Sequence, residues 1–462
     1  MSFSDLRFIF YFLPSFVLLH TLAPQRLRNV LLVAGSLVFY AVGAGARDTA
    51  VLCAVVLVNY LLGRWIGSER GELRTGVLFL GVALNLGCLF YFKYLSAALR
   101  LLSLRTGADF SFLRIVLPLG ISFYVFQSIS YLADVHRETV APERNLINFA
   151  AYLLAFPQLL IGPILRYGDV REALSGRTVR RSDLEEGFEL FVIGLGLKVL
   201  LADQLSTLWA MLERIGFAYI STPLAWFGAV GYSLQLYFDF CGYSLMAMGL
   251  GRMLALPIPR NFDQPYLSRS VSEFYRRWHI TLGTWFRDYI YIPLGGSRRG
   301  TARTFLSLAA VWVLTGLWHG ATLNFLLWGV LLLLFIVLEK LGLRYFLGRH
   351  ALLSHLYLLF VIVQSWVVFR ITDMHALRAY FCRLYPFFGG GTAPYPGDFV
   401  RLLSSYWHLF AIALFFCLPF PRRFYEKHRG SVLVWLPLLG VFFLSVYFIA
   451  TASGSPFLYS RF

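Results

Sequence analysis

The sequence predicts an all-α, polytopic membrane protein, and three observations carry that expectation. Hydrophobic residues make up 58% of the 462 residues and charged residues only 14%, against about 25% charged in soluble domains. Mean hydropathy is +0.66. Apolar runs long enough to cross a bilayer recur from end to end, and roughly ten to twelve crossings follow at about 20 residues per span.

The run at 8–23 has neither a basic leader nor a small-residue cleavage site, so it reads as a retained span and not a removable signal. Runs at 30–46, 49–66, 76–101, 115–135 and 147–165 follow. Residues 166–186 mix charges of both signs, which predicts a loop with a short surface helix. Runs at 187–205 and 223–251 precede an aromatic and basic stretch at 257–303. Beyond it lie 304–345, 353–370, 405–421 and 432–451, with a Gly/Pro-rich loop at 386–399. Some of these runs are expected to re-enter or to split in two. No linker or repeat divides the chain, so residues 1–462 read as one transmembrane domain.

The net charge is +17, carried almost wholly by arginine. In a soluble chain this would suggest nucleic acid. Here the arginines concentrate between spans, as the positive-inside rule requires, so the expected partner is the lipid bilayer and no nucleic acid. The densest group is Arg252, Arg260, Arg269, Arg276, Arg277, Arg287, Arg298, Arg299 and Arg303, which places its region on the cytoplasmic side. Arg26 and Arg28 behind the first span put the N-terminus opposite, although Lys93, Arg100 and Arg105 blur the alternation. The loop at 386–399 then lies across the membrane from the arginine cluster.

Within 257–303 the spacing predicts a helix from Ser272 to Tyr289, capped by Ser270 or Ser272 with Glu273 in its first turn. Trp278, Leu282 and Trp285 form an apolar stripe, while Arg276, Arg277 and Arg287 are charged. That pattern fits a helix in the interface or dipping into the bilayer, its arginines reaching lipid phosphates. Pro293, Gly295 and Gly296 end it in a turn.

His319 lies inside VWVLTGLWHGATLNFLLWG at 311–329, flanked by Trp318 and Gly320. Ionisable groups at membrane depth mark a cavity, a pathway or a catalytic centre. If 311–329 is one helix, Trp312, Thr315, Gly316, Thr322 and Leu323 share the face of His319, a partly polar stripe suited to a tunnel wall. His319 is then either a core histidine bonded to a neighbouring helix or an uncharged general base or nucleophile. His279 is either an ordinary interfacial histidine or a second polar group in the same tunnel, positioning a substrate or polarising its carbonyl.

Asp239, in QLYFDFCGYS at 235–244, needs a partner, because an unpaired charge at the bilayer centre costs about 2.5–3.5 kcal/mol. An arginine or a tyrosine hydroxyl would serve, and a structural bond and a catalytic role are both open. Lys198, Lys93 and Asp134 read as span-end groups that reach the interface. Of Cys53, Cys88, Cys241, Cys382 and Cys417, none forms a C-x-x-C pair, which leaves small buried thiols as the expectation. No metal and no permanently bound cofactor is expected. No G-x-S-x-G elbow, P-loop, H-E-x-x-H or helix-opening G-x-G-x-x-G occurs.

Several segments occur in a telling order: FLP at 12–14 with RN at 28–29, VLPLGISFYVFQSISYLADVHR at 116–137, FPQLLIGPILR at 156–166 and QLYFDFCGYSLMAMGLG at 235–251. NFDQPYLSRSVSEFYRRWHITLGTWFRDYIYIPLGG follows at 261–296, then LTGLWHGA at 314–321 and SPFLYSRF at 455–462. Together they resemble the membrane-bound O-acyltransferase (MBOAT) family, in its bacterial alginate O-acetyltransferase-like branch. The resemblance implies that His319 is the catalytic histidine and His279 the second polar residue, with Trp318 and Asp239 as supporting groups. It implies a ring of helices, with re-entrant or interfacial ones, around a central funnel open to the cytoplasm. Acetyl-CoA would enter there as donor, its phosphates drawn by Arg276 and Arg277. The implied activity is O-acetylation of an exported polysaccharide such as alginate, through an extracytoplasmic SGNH-hydrolase-like partner, at the bacterial inner membrane.

The alternatives within the enzyme class are peptidoglycan O-acetylation and D-alanyl transfer to teichoic acid. Outside it, a polysaccharide or solute transporter would use His319 and Asp239 to line a conduction path. One departure from the family pattern is Leu245 after GYS, where the resemblance leads one to expect an acid.

Overall fold

The computed structural model describes residues 1–109, 115–388, 395 and 397–451. Half of the predicted loop at 386–399 and all of SPFLYSRF at 455–462 lie outside the described residues. Among the described residues the chain is helical, with one isolated antiparallel bridge, Phe262 to Trp278, and no strand. It divides into two compact units, one of Met1–Val192 with Tyr243–Arg260, the other of Ile193–Gly242 with Asn261–Thr451.

The first unit contains α1 (Phe8–Leu22), α2 (Gln25–Ser68), α3 (Gly71–Lys93), α4 (Leu95–Thr106), α5 (Ile121–His136), α6 (Leu146–Leu154) and α7 (Tyr167–Ser175). It also holds α8 (Arg181–Gly196) up to Val192. At about 1.5 Å of rise per residue, the 44 residues of α2 suffice for two crossings. Gly45, with φ 85° and ψ 172°, breaks the helix between the predicted spans 30–46 and 49–66. Helices α2 and α3 are joined at depth by Asn59 and Asn85, whose amides donate to each other at 3.2 and 2.7 Å. Such pairing satisfies polar groups that hydrocarbon cannot. The core is a phenylalanine cluster in which the Phe156 ring meets Phe12 and Phe16 edge-on at 5.4 and 5.3 Å. The 166–186 region is more firmly held than its composition suggests. Arg177 is buried there and donates to Asn29 at 2.6 Å, the Leu254 carbonyl at 3.0 Å and His20 Nε2 at 3.1 Å.

The second unit contains α9 (Asp203–Ile215), the part of α10 (Thr222–Met253) up to Gly242, and α11 (Val271–Arg277) and α12 (Ile280–Phe286). It continues with α13 (Thr301–His319), α14 (Leu323–Leu338), α15 (Ala351–Arg370), α16 (Met374–Leu384), α17 (Asp398–Cys417), α18 (Pro419–His428) and α19 (Val432–Thr451). Helices α13 and α14 form a close hairpin. A β-carbon at Gly316 would stand 2.6 Å from the Phe325 carbonyl oxygen, and one at Gly329 would stand 2.5 Å from that of Trp312. Glycine alone permits this approach of two backbones.

Among the described residues seven helices are long and apolar enough to cross a membrane, and Phe8–Leu22 is a shorter apolar one. The chain is a multi-pass membrane protein. The predicted runs take several forms in the fold. The run 147–165 folds into a nine-residue helix and a four-residue one, Phe156–Leu159, and 115–135 into sixteen helical residues. The run 223–251 lies within a 32-residue helix too polar to count. The predicted spans 30–46 and 49–66 fall within the one element α2, kinked at Gly45, and 304–345 is two helices broken at Gly320. The cysteines are free, but Cys417 alone is buried and Cys53 is exposed, since the outer face of a span needs only lipid around it.

Candidate active site

The stretch 257–303 supplies one part of the candidate site. Ser270 caps α11 by accepting from the Glu273 N–H at 3.0 Å, and Glu273 reaches back to the Arg269 N–H at 3.0 Å. The buried carboxylate of Glu339 then accepts from the N–H groups of Val271 and Ser272 at 2.6 and 3.0 Å and from the Ser272 hydroxyl at 2.6 Å. These are helix N-terminal donors without partners inside the helix, and a carboxylate is the acceptor that suits them best. Asp263, near the start of the stretch, is bonded by Arg422 at 2.5 Å. Burial alone would lower the Arg422 guanidinium, but the carboxylates of Glu426 and Asp263 outweigh it and hold the group above its ordinary range.

The helix predicted from Ser272 to Tyr289 is in fact two short helices separated at Trp278 and His279. Trp278 is extended, and His279 adopts the left-handed conformation at φ 46° and ψ 53°. The cause is tertiary: Asp263 N–H donates to the Arg277 carbonyl at 2.9 Å, and Ile280 N–H to the Asn261 carbonyl at 3.0 Å. Residues 261–263 thus take over backbone bonds that a continuous helix would make internally. Left-handed backbone at a residue other than glycine costs about 1–3 kcal/mol and gathers at functional sites.

Around this break the structure brings together two of the predicted residues and the tryptophan beside them. The Trp318 ring lies 4.7 Å from that of His319 and 6.4 Å from that of His279. Both histidines are 4% exposed. Phe240 meets His279 edge-on at 4.6 Å, while Trp328 and Phe369 meet His319 edge-on at 5.1 and 4.9 Å. His319 is the last residue of α13, and Thr322 precedes α14, so Thr322 and Leu323 do not share its helical face. Trp312, Thr315 and Gly316 do lie on α13 with it. The indole N–H groups of Trp328 and Trp366 are buried without a hydrogen-bond partner among the described residues. Leaving such a donor unmet costs about 1–3 kcal/mol, which an acceptor on a bound substrate would recover.

Asp239 is held by a lysine. Lys198 Nζ lies 2.8 Å from Asp239 and 2.6 Å from Asp203. Lys198 is therefore buried and is no span-end group. It sits in a π-helical turn, Leu197–Ala202, where Gly242 lets α10 close to van der Waals limits against the Gly194 carbonyl. Arg276 is exposed, and Arg277 bonds Glu273 one turn back at 2.7 Å. Sequence reading missed Asn261, whose side chain faces His279 and Thr281, and missed Glu339. An acid at the end of a long apolar run was the signal for Glu339. Asn261 had none beyond its place in NFDQ.

The sequence model described as MBOAT, membrane-bound O-acyltransferase family, matches residues 124–373. The chain is similar to the probable alginate O-acetylase AlgI of Pseudomonas putida, with 40% identity over 396 residues, 84% of this chain and 81% of that protein. The probable alginate O-acetylase AlgI of Pseudomonas aeruginosa is 40% identical over 395 residues, 82% and 74% of the two chains. A peptidoglycan O-acetyltransferase of Helicobacter pylori is 32% identical over 367 residues, 72% and 69% of the two. The chain belongs to the membrane-bound O-acyltransferase family and is an O-acyltransferase.

Proposed function

We propose that this protein moves an acetyl group from cytoplasmic acetyl-CoA through the membrane plane to O-acetylate an exported polysaccharide, alginate or a related exopolysaccharide. The observation that carries this reading is the pair of buried histidines beside the Trp318 ring, one ending a span and one in the basic segment. Transfer from a thioester to a hydroxyl needs a group that takes the hydroxyl proton and donors where charge gathers on the acyl oxygen. His319 acts directly on the reacting groups, as proton acceptor or as the nitrogen that briefly carries the acyl group. His279 is the second polar group of the same site. The buried indoles of Trp328 and Trp366 are donors suited to an oxyanion. Arg276 and Arg277 supply positive charge for the phosphates of the donor.

The polymer is inferred from the alginate O-acetylases to which the chain is similar, and peptidoglycan is the second reading, supported by the similarity to a peptidoglycan O-acetyltransferase. The acyl group would leave on the far side through a serine of an SGNH-hydrolase-like partner, which places the enzyme in the bacterial cytoplasmic membrane. Inside-out membrane vesicles holding the polymer, given acetyl-labelled acetyl-CoA outside, test the reading. Base-labile label on the enclosed polymer is expected. Polymer that stays unlabelled while cells of the same strain acetylate it would contradict acetyl-CoA as donor.

A further inference from the structure

Asn261 is wholly buried, and its side-chain oxygen has three neighbours. The Thr281 N–H lies at 3.2 Å, the Thr281 hydroxyl at 3.0 Å and His279 Nδ1 at 3.2 Å. A backbone N–H can only donate, so the amide atom that faces it is the oxygen. That same oxygen faces Nδ1 of His279, and Nδ1 must therefore carry a hydrogen. A neutral imidazole has one N–H, so Nε2 holds the lone pair. The Asn261 carbonyl also accepts from the Ile280 N–H at 3.0 Å, so one residue fixes both the left-handed turn and the ring within it.

We infer that Asn261 is a positioning residue that sets the tautomer of His279 and makes Nε2 of that ring the acceptor for the proton of the attacking hydroxyl. This rests on the reading that His279 belongs to the transfer site, and it divides the work between the histidines. A neutral ring with its hydrogen spent on Asn261 cannot donate to an acyl oxygen, but it can take a proton. In the transfer the hydroxyl oxygen forms a bond to the acyl carbon while its proton passes to Nε2 of His279. The carbon–sulfur bond breaks, the sulfur leaves with the electron pair, and His279 returns the proton to it, giving ester and thiol. His319 is left to act on the acyl group.

Nitrogen NMR of the full chain in lipid bilayers, with labelled histidine, reads this tautomer directly. The His279 signals are those lost in His279→Ala. A protonated Nδ1 and an unprotonated Nε2 are expected near neutral pH, and the opposite tautomer would overturn the inference. In cells, Asn261→Ala at normal membrane levels should lower polymer ester about 100-fold, the scale of a lost general base. Asn261→Asp keeps an acceptor facing Nδ1 and should recover most of the activity. Its carboxylate should also move the acid limb of the pH profile to higher pH, a change that a merely structural role would not produce. An inactive Asn261→Asp at normal levels, or an unmoved limb, counts against the assignment. Full activity in His279→Ala would remove the site reading itself. An inactive His279→Ala combined with the opposite tautomer would remove only the role given to Asn261.

Discussion

Lys198 and Asp239 form a buried ion pair at 2.8 Å, with the two side chains 2% and 3% exposed. Taking both charges out of water is expensive, and removing one partner strands the other. Lys198→Met should therefore destabilise the protein by about 3–5 kcal/mol, because it leaves a buried carboxylate uncompensated. Asp239→Asn should cost less, since Asp203 still holds the lysine at 2.6 Å. The double variant Lys198→Met/Asp239→Leu should regain much of the loss, and unfolding titrations in detergent would measure it. A folded but inactive double variant would show that Asp239 has a chemical role as well.

Glu339 should matter out of proportion to its distance along the chain from His279. Glu339→Ala leaves two backbone N–H groups and the Ser272 hydroxyl without their acceptor, at about 1–3 kcal/mol for each buried donor. Protease cleavage within 261–279 should become faster, and acyl transfer should fall. Glu339→Gln keeps one acceptor oxygen and should lie between. Equal protection of wild type and Glu339→Ala would contradict this account of the segment.

Gly316→Ala places a β-carbon 2.6 Å from a backbone carbonyl on α14, which no side-chain rotation can relieve. The hairpin must open, and His319, three residues on, must move with it. A shift of about 1 Å at a reacting group can cost 10²-fold in rate, so activity should fall by at least about tenfold even where the variant inserts normally. Gly76→Ala on α3 meets nothing within 4 Å and should be neutral or slightly stabilising. Polymer ester content at matched membrane levels compares the two, and equal activities would rule out the hairpin as the support of His319.

What the sequence made legible and what it hid follow from range. The apolar runs are local, so most spans could be read directly, and the rarity of ionisable groups at membrane depth singled out His319 and Asp239. The break at His279 was hidden because Trp278, Leu282 and Trp285 fit a helical period, while the bonds that interrupt it come from residues 261–263. The end of α13 was hidden because one glycine within 304–345 does not by itself stop a helix. Lys198 was misread because its two acids, Asp203 and Asp239, come together only in the fold. Asn261 acts on residues 18 and 20 positions away, which no periodicity reports.

The account is tested most directly by the ester content of the exported polymer in cells carrying His319→Ala or His279→Ala, with each variant inserted at wild-type levels. Loss of essentially all ester in both variants is the predicted result. Wild-type ester content in the His319→Ala strain would contradict the claim that this buried pair carries the transfer.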